Sequence, residues 1–171
     1  IDPLLELAGE LLVAERPRTE SQPTAFIGSS TEGLDIANKL QELLEYDLES
    51  VVWNQGTVFG LGDTTLEALE RAVLSFDFGI FVFTPDDELH NSEKTKFVAR
   101  DNVLFELGLF TGKRTRHRAF VIHPGENAIE LPSDLHGITV AKFDPHQKNL
   151  AVSLGPVVQK IRESVNREMD I

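Results

Sequence analysis

Between Asp77 and Thr84 the chain reads Phe-Gly-Ile-Phe-Val-Phe, with no polar side chain. A strand exposed on one face alternates apolar and polar residues. An unbroken apolar run is what a central parallel strand needs, because it is buried on both faces. Parallel neighbours demand crossover connections, in practice helices, and the rest of the sequence supplies both. TAFIGS (24–29) and SVVW (50–53) read as strands before the run, RAFVI (118–122) and ITVAKF (138–143) as strands after it. Helical spacing lies between and beyond them. It runs through Leu34, Ala37, Leu40 and Leu44, through TTLEALERAVLSF (64–76) with Thr64 and Glu67 as a capping box, and through RDNVLFELGLF (100–110). A last helix over 150–168 carries Leu154, Val157, Val158, Ile161 and Val165. The expected fold is α/β: an open five-stranded parallel sheet with helices on both faces. Ligands of such sheets bind beyond the carboxyl ends of the strands, near the switch in strand order. The loops to watch are therefore GSSTEG (28–33), NQGTVFGLGD (54–63) and TPDDELHNSEKTKFVARDN (84–102).

The first 23 residues have a different character. Leu4, Leu5, Leu7, Leu11 and Leu12 give a short amphipathic helix, followed by the polar, proline-containing RPRTESQPT. They are expected to be the tail of an upstream module absent from this sequence, with one domain over 24–171. No apolar run approaches the roughly 20 residues of a membrane span, and no signal peptide is visible. The chain has no cysteine, which excludes thiol catalysis, disulfides and thiolate metal sites and fits a cytoplasmic protein. Its formal charge of −12 repels phosphate backbones and anionic membranes, so neither nucleic acid nor a membrane is an expected partner. The basic cluster Lys113, Arg114, Arg116 and Arg118 follows the third helix, where cations complement a helix C-terminus.

Few residues carry chemistry. GSSTEG joins a strand to a helix N-terminus and offers either a phosphate cradle or a tight turn with a capping hydroxyl. It lacks the Gly-Lys-Ser/Thr ending of a P-loop. The 54–64 connection exceeds the usual 2–6 or so residues and carries Val58, Phe59 and Leu61 among Gly56, Gly60 and Gly62, which suits a moving lid or an interface. PDDE (85–88) reads as a solvated turn, the five histidines as structural or surface groups, and no metal-ligand spacing exists. The anomaly is Glu106. Val103, Leu104, Phe105, Leu107, Leu109 and Phe110 surround it on a helix apolar on nearly every side, a pattern expected of an interior helix. A carboxylate there loses hydration at a cost of several kcal/mol, by order of magnitude, unless compensated. Asn102 stands one turn before it and Arg100 just outside the helix start. A structural pairing and a functional site are equally compatible with this spacing.

Five blocks in order, AFIGSSTEGLDIANKLQ, VVWNQGTVFGLGDTTLEAL, DFGIFVFTPDD, RDNVLFELGLFTGK and LPSDLHGITV, resemble bacterial TIR-like domains. These are the effectors of cyclic-nucleotide-triggered anti-phage systems, the CD-NTase-associated and Pycsar TIR family. The likeness spans about residues 24 to 143. It implies a flavodoxin-like TIR fold and NAD+ glycohydrolase activity, with NAD+ as substrate and no cofactor or metal. It places the catalytic role on Glu106 and substrate contacts on Phe26, Ser29, Ser30, Arg100 and Asn102, with Trp53 counted beside them. It also implies self-association of TIR domains through the second-strand loop: Gly56, Val58, Phe59, Gly60 and Leu61. Two other readings remain, a nucleoside deoxyribosyltransferase-like enzyme with a glutamate nucleophile and a non-catalytic TIR adaptor.

Overall fold

The computed structural model describes residues 22–54, 70, 75–84, 87–91, 94–98, 101–126 and 137–169. Strands β1 (Thr24–Ser29), β2 (Glu49–Asn54), β3 (Phe78–Val82), β6 (Ala119–Pro124) and β7 (Thr139–Phe143) form one sheet in the order β2-β1-β3-β6-β7. Every pairing in it is parallel. This is the expected doubly wound order, and its switch point lies between β1 and β3, where the chain first steps to β2 and then returns across the sheet. Asp77 fixes the register at the amino edge. Its carboxylate Oδ2 accepts from the backbone N–H of Thr24 at 2.9 Å, and its own N–H donates to the Thr24 carbonyl at 3.1 Å.

Strand parity divides the core in two. Ala25, Ile27, Phe78, Ile80, Phe120 and Ile122 point to one face, covered by α1 (Leu34–Leu43) and α3 (Leu150–Met169). There Leu40 packs with Leu154, Val157 and Ile161. Arg162 on α3 clamps the turn after α1 by donating from Nε and Nη2 to the Asp47 carboxylate at 2.8 and 2.9 Å. Phe26, Trp53, Phe81, Ala119 and Val121 point to the opposite face, covered by α2 (Asp101–Lys113) through Val103, Leu107 and Phe110. Unlike the wholly interior helix expected, α2 turns one side outward: Phe105 is half-exposed, and Gly108 and Gly112 are exposed. Its lack of polar residues reflects two glycines and an aromatic on the outer side, not burial all round.

Residues 84–102, expected from their sequence to be one loop, are not. Instead, Asp87–Asn91 (β4) and Lys94–Val98 (β5) pair as an antiparallel hairpin separate from the main sheet. Asp87 and Glu88 of the expected PDDE turn thus belong to a strand. The stretches that form it, DELHN and KTKFV, are short and mostly polar. Of the basic cluster, Lys113 closes α2 as anticipated, whereas the Arg118 guanidinium lies over the Phe78 ring, 5.2 Å from its centroid. The leader helix, the second-strand loop with Gly56, Val58, Phe59, Gly60 and Leu61, and most of the helix expected over 64–76 lie outside the described residues. Among the described residues, no helix is long and apolar enough to cross a membrane.

Phe110 is wholly buried and rests on Gly79 of β3, its ring carbons 3.0 Å from where a Cβ at that position would lie. Phe110→Ala therefore opens a cavity between α2 and the sheet. It is expected to lower the unfolding free energy by about 3–5 kcal/mol, measured by urea denaturation. A loss under about 1 kcal/mol would show that α2 is not anchored there.

Candidate active site

Glu106 is wholly buried. Helix α2 places it one turn before Phe110, and the two side chains descend on adjacent strands. The Glu106 carboxylate settles over Gly28 of β1: its Oε2 is 2.6 Å from the position a Cβ at residue 28 would take. Gly28 is in register with Trp53 on β2 and with Phe81 on β3. The carboxylate thus meets the sheet at the β1 end nearest the switch point, in the strand row that also holds Trp53 and Phe81. Phe26 lies one row deeper. Its ring packs against Trp53 at 5.6 Å, Phe76 at 5.8 Å and Phe81 at 6.1 Å between centroids. A carboxylate excluded from bulk water exerts a field less screened than one at the surface.

The residues named from sequence divide by strand parity. Phe26, Trp53 and Glu106 share one face of the sheet. Ser29 follows Ala25 and Ile27 on the other: its hydroxyl donates to the Ser30 carbonyl at 2.7 Å, and its Oγ lies 2.7 Å from where a Cβ on Gly33 would be. Ser30 sits past the strand end, where its Oγ bonds to the Thr84 hydroxyl at 2.8 Å and ties the carboxyl ends of β1 and β3 together. Asn102 is in the first turn of α2, its side chain outside the described part, and Arg100 lies outside the described residues.

Three further residues at the carboxyl ends of the strands stand out only in the structure. Gly28 was read as part of a turn, yet a glycine inside a strand signals close approach of another group. Thr84 gave no signal beyond its place at a strand end. His123, at the carboxyl end of β6, is buried on the α2 face. Its Nδ1 donates to the Pro124 carbonyl at 2.9 Å, leaving the Nε2 lone pair free to accept in the neutral ring. Burial holds its pKa below the ordinary value of 6.5, the carbonyl bond opposing and Lys142 reinforcing that shift. Exposed His146 is the opposite case: its bond to Glu126 pushes its pKa up. Among the described residues, no cluster of three or more His, Asp or Glu could hold a metal ion.

A family model described as "CAP12/Pycsar effector protein, TIR domain" matches residues 24–145. The chain belongs to this family of TIR domains. Among curated proteins, the Pycsar effector protein PaPycTIR of Pseudomonas aeruginosa is 39% identical over 145 residues, 83% of this chain and 47% of that protein. CD-NTase-associated protein 12 of Niabella drilacis is 45% identical over 124 residues, 70% of this chain and 39% of that protein. BcPycTIR of Burkholderia cepacia is 37% identical over 143 residues, 82% of this chain and 46% of that protein. The chain thus spans about half the length, or less, of these relatives. The match to the TIR model begins at Thr24, the first residue of β1.

Two predictions follow from this geometry. If the TIR domain holds Glu106 for function and not as half of a structural ion pair, Glu106→Gln removes a buried charge at nearly constant shape. Its melting temperature by calorimetry is then expected at or above the parent's; a fall of several degrees would favour the ion pair. In an NMR titration, His123 is expected to titrate below 6.5 and His146 above it. The buried histidine therefore favours the folded state above 6.5, and that contribution is lost as pH falls toward its folded pKa. The reverse order of midpoints would contradict the assignment of burial to His123.

Proposed function

We propose that this TIR domain is an NAD+ glycohydrolase that cleaves nicotinamide from ribose, with Glu106 as the single catalytic carboxylate. The observation that carries the reading is the seat of that carboxylate: wholly buried, over Gly28, at the switch point of a TIR-family sheet. The chemistry suits one acid residue. Ordinary glycosidases use two, because an alkoxide leaving group must be protonated. In NAD+ the leaving group is a pyridinium. When the C1′–N bond breaks, its electron pair neutralises the ring nitrogen, and no acid is needed. Positive charge develops on C1′ and the ring oxygen of the ribose, where a fixed carboxylate in water-poor surroundings stabilises it. Water then adds to C1′ and loses a proton, giving ADP-ribose.

The burial that strengthens the field also closes the site. With Glu106 wholly buried, substrate reaches it only after the crevice opens, so the isolated domain is a resting form. Self-association is the proposed control: head-to-tail contacts between copies build open assemblies, and an upstream sensor that gathers the domains would drive them. The proposed setting is the cytoplasm, in an anti-phage response to a cyclic-nucleotide signal, with NAD+ depletion as the output; the names of the relatives, a Pycsar effector protein and a CD-NTase-associated protein, support an effector role. Val58, Phe59 and Leu61 of the second-strand loop are the proposed docking residues.

The test is NAD+ turnover with product identification. Glu106→Gln is expected to lose a factor of roughly 100–1,000 or more in kcat while remaining folded. Parental turnover in that variant would refute the assignment, and turnover of deoxynucleosides in place of NAD+ would mark a transferase. Activity is expected to survive EDTA, since a neutral leaving group needs no Lewis acid; loss on chelation with recovery on adding one divalent metal would contradict this. Specific activity is also expected to rise with protein concentration, and Phe59→Asp to be folded but inactive. A specific activity flat across dilution, with Phe59→Asp equal to the parent, would mean the monomer is complete.

A further inference from the structure

Two glycines interrupt the aromatic face on which α2 packs, and they stand diagonally. Gly28 on β1 is in register with Phe81 on β3, and Phe26 on β1 with Gly79 on β3. Each phenylalanine therefore has a glycine beside it across the strand pair, and each strand alternates the two. The side chains of α2 fill the gaps: Phe110 over Gly79, and the Glu106 carboxylate over Gly28. A ring over a glycine is ordinary packing. A carboxylate over one is not, because an apolar side chain would fill the same gap without losing hydration.

We propose that Gly28 is a positioning residue for Glu106: the missing side chain sets how deep and how far across the sheet the carboxylate lies. This rests on Glu106 acting as proposed above. A Cβ at residue 28 would stand 2.6 Å from Oε2, 3.1 Å from Phe81 Cδ1 and 3.2 Å from Phe26 Cε1. The last two contacts need only a few tenths of an ångström of relief. The first cannot coexist with the present carboxylate. What yields is the end of the glutamate, since Gly28 is held in register on both sides by β2 and β3. Backbone strain does not enter, because among the described glycines only Gly137 has a positive φ. Alanine at 28 thus tests chiefly the contact with the carboxylate, the two ring contacts being the lesser part.

An enzyme that stabilises a developing charge loses rate when the stabilising group moves by about an ångström, by as much as roughly 100-fold. Gly28→Ala is therefore expected to lower kcat for NAD+ about that far with KM unchanged, the signature of an interaction made only in the transition state. A residue that merely supported the fold would not produce that split. The experiment measures kcat, KM and melting temperature for the parent, Gly28→Ala, Glu106→Gln, Glu106→Ala and the Gly28→Ala/Glu106→Ala pair. Gly28→Ala alone is expected to lower the melting temperature by roughly 2–10 °C, and by much less once Glu106 is alanine, when only the ring contacts remain. If Gly28→Ala does not fold, Gly28→Ala/Glu106→Asp decides. Its carboxylate is one methylene shorter, so recovery of folding supports the contact and continued failure overturns it. A parental kcat in Gly28→Ala beside an inactive Glu106→Gln would overturn this inference alone, as would an undiminished melting penalty in the Glu106→Ala background. Parental turnover in Glu106→Gln would overturn the catalytic reading, and this one with it.

Discussion

A carboxylate can lie against the face of a β-sheet only where the strand beneath it has no side chain. Here that place is Gly28, and much of the site's geometry depends on the meeting of Glu106 with it. The contact marks where α2 meets β1, and Phe110 over Gly79 marks where it meets β3 one turn later. Two points define a line, so the pair sets how the helix lies across the switch point of the sheet. The same contact puts an ionisable group amid Phe26, Trp53 and Phe81, where water is scarce and a charge acts strongly on whatever lies beside it.

Much of the architecture was legible in the sequence, because hydrophobic periodicity survives wherever an element buries a whole face. The unbroken run after Asp77 belongs to a strand covered on both sides, and TAFIGS coincides with β1. The hairpin of β4 and β5 was not legible: two short strands of largely polar residues leave no period-two apolar signal, so DELHN and KTKFV read as loop. The outward side of α2 was missed for a related reason, since Gly108 and Gly112 lack the polar groups that usually mark an exposed face.

Of the candidate site, Glu106 stood out in the sequence, and Phe26 and Trp53, named beside it, share its face of the sheet, whereas the glycine beneath it did not stand out. Glu106 stood out because a single acidic letter in an apolar helix demands a cause. Gly28 did not, because a glycine before two serines looks like a turn, whereas here it belongs to the strand. Adjacent letters also mislead. Gly28 and Ser29 are consecutive, so strand parity sends them to opposite faces, and only the glycine lies under Glu106. The Ser30–Thr84 bond joins residues 54 apart in sequence, which no local pattern announces. Family membership, shown by the match over residues 24–145, covers the strands and the helix that carry these parts.

The most direct measurement is a crystal structure of the Glu106→Gln variant with NAD+ bound. The predicted result places C1′ of the nicotinamide ribose within roughly 3.5 Å of the substituted side chain, near-attack distance, above the carboxyl end of β1. NAD+ bound with that ribose away from the junction of β1 and β3 would contradict the assignment of chemistry to Glu106.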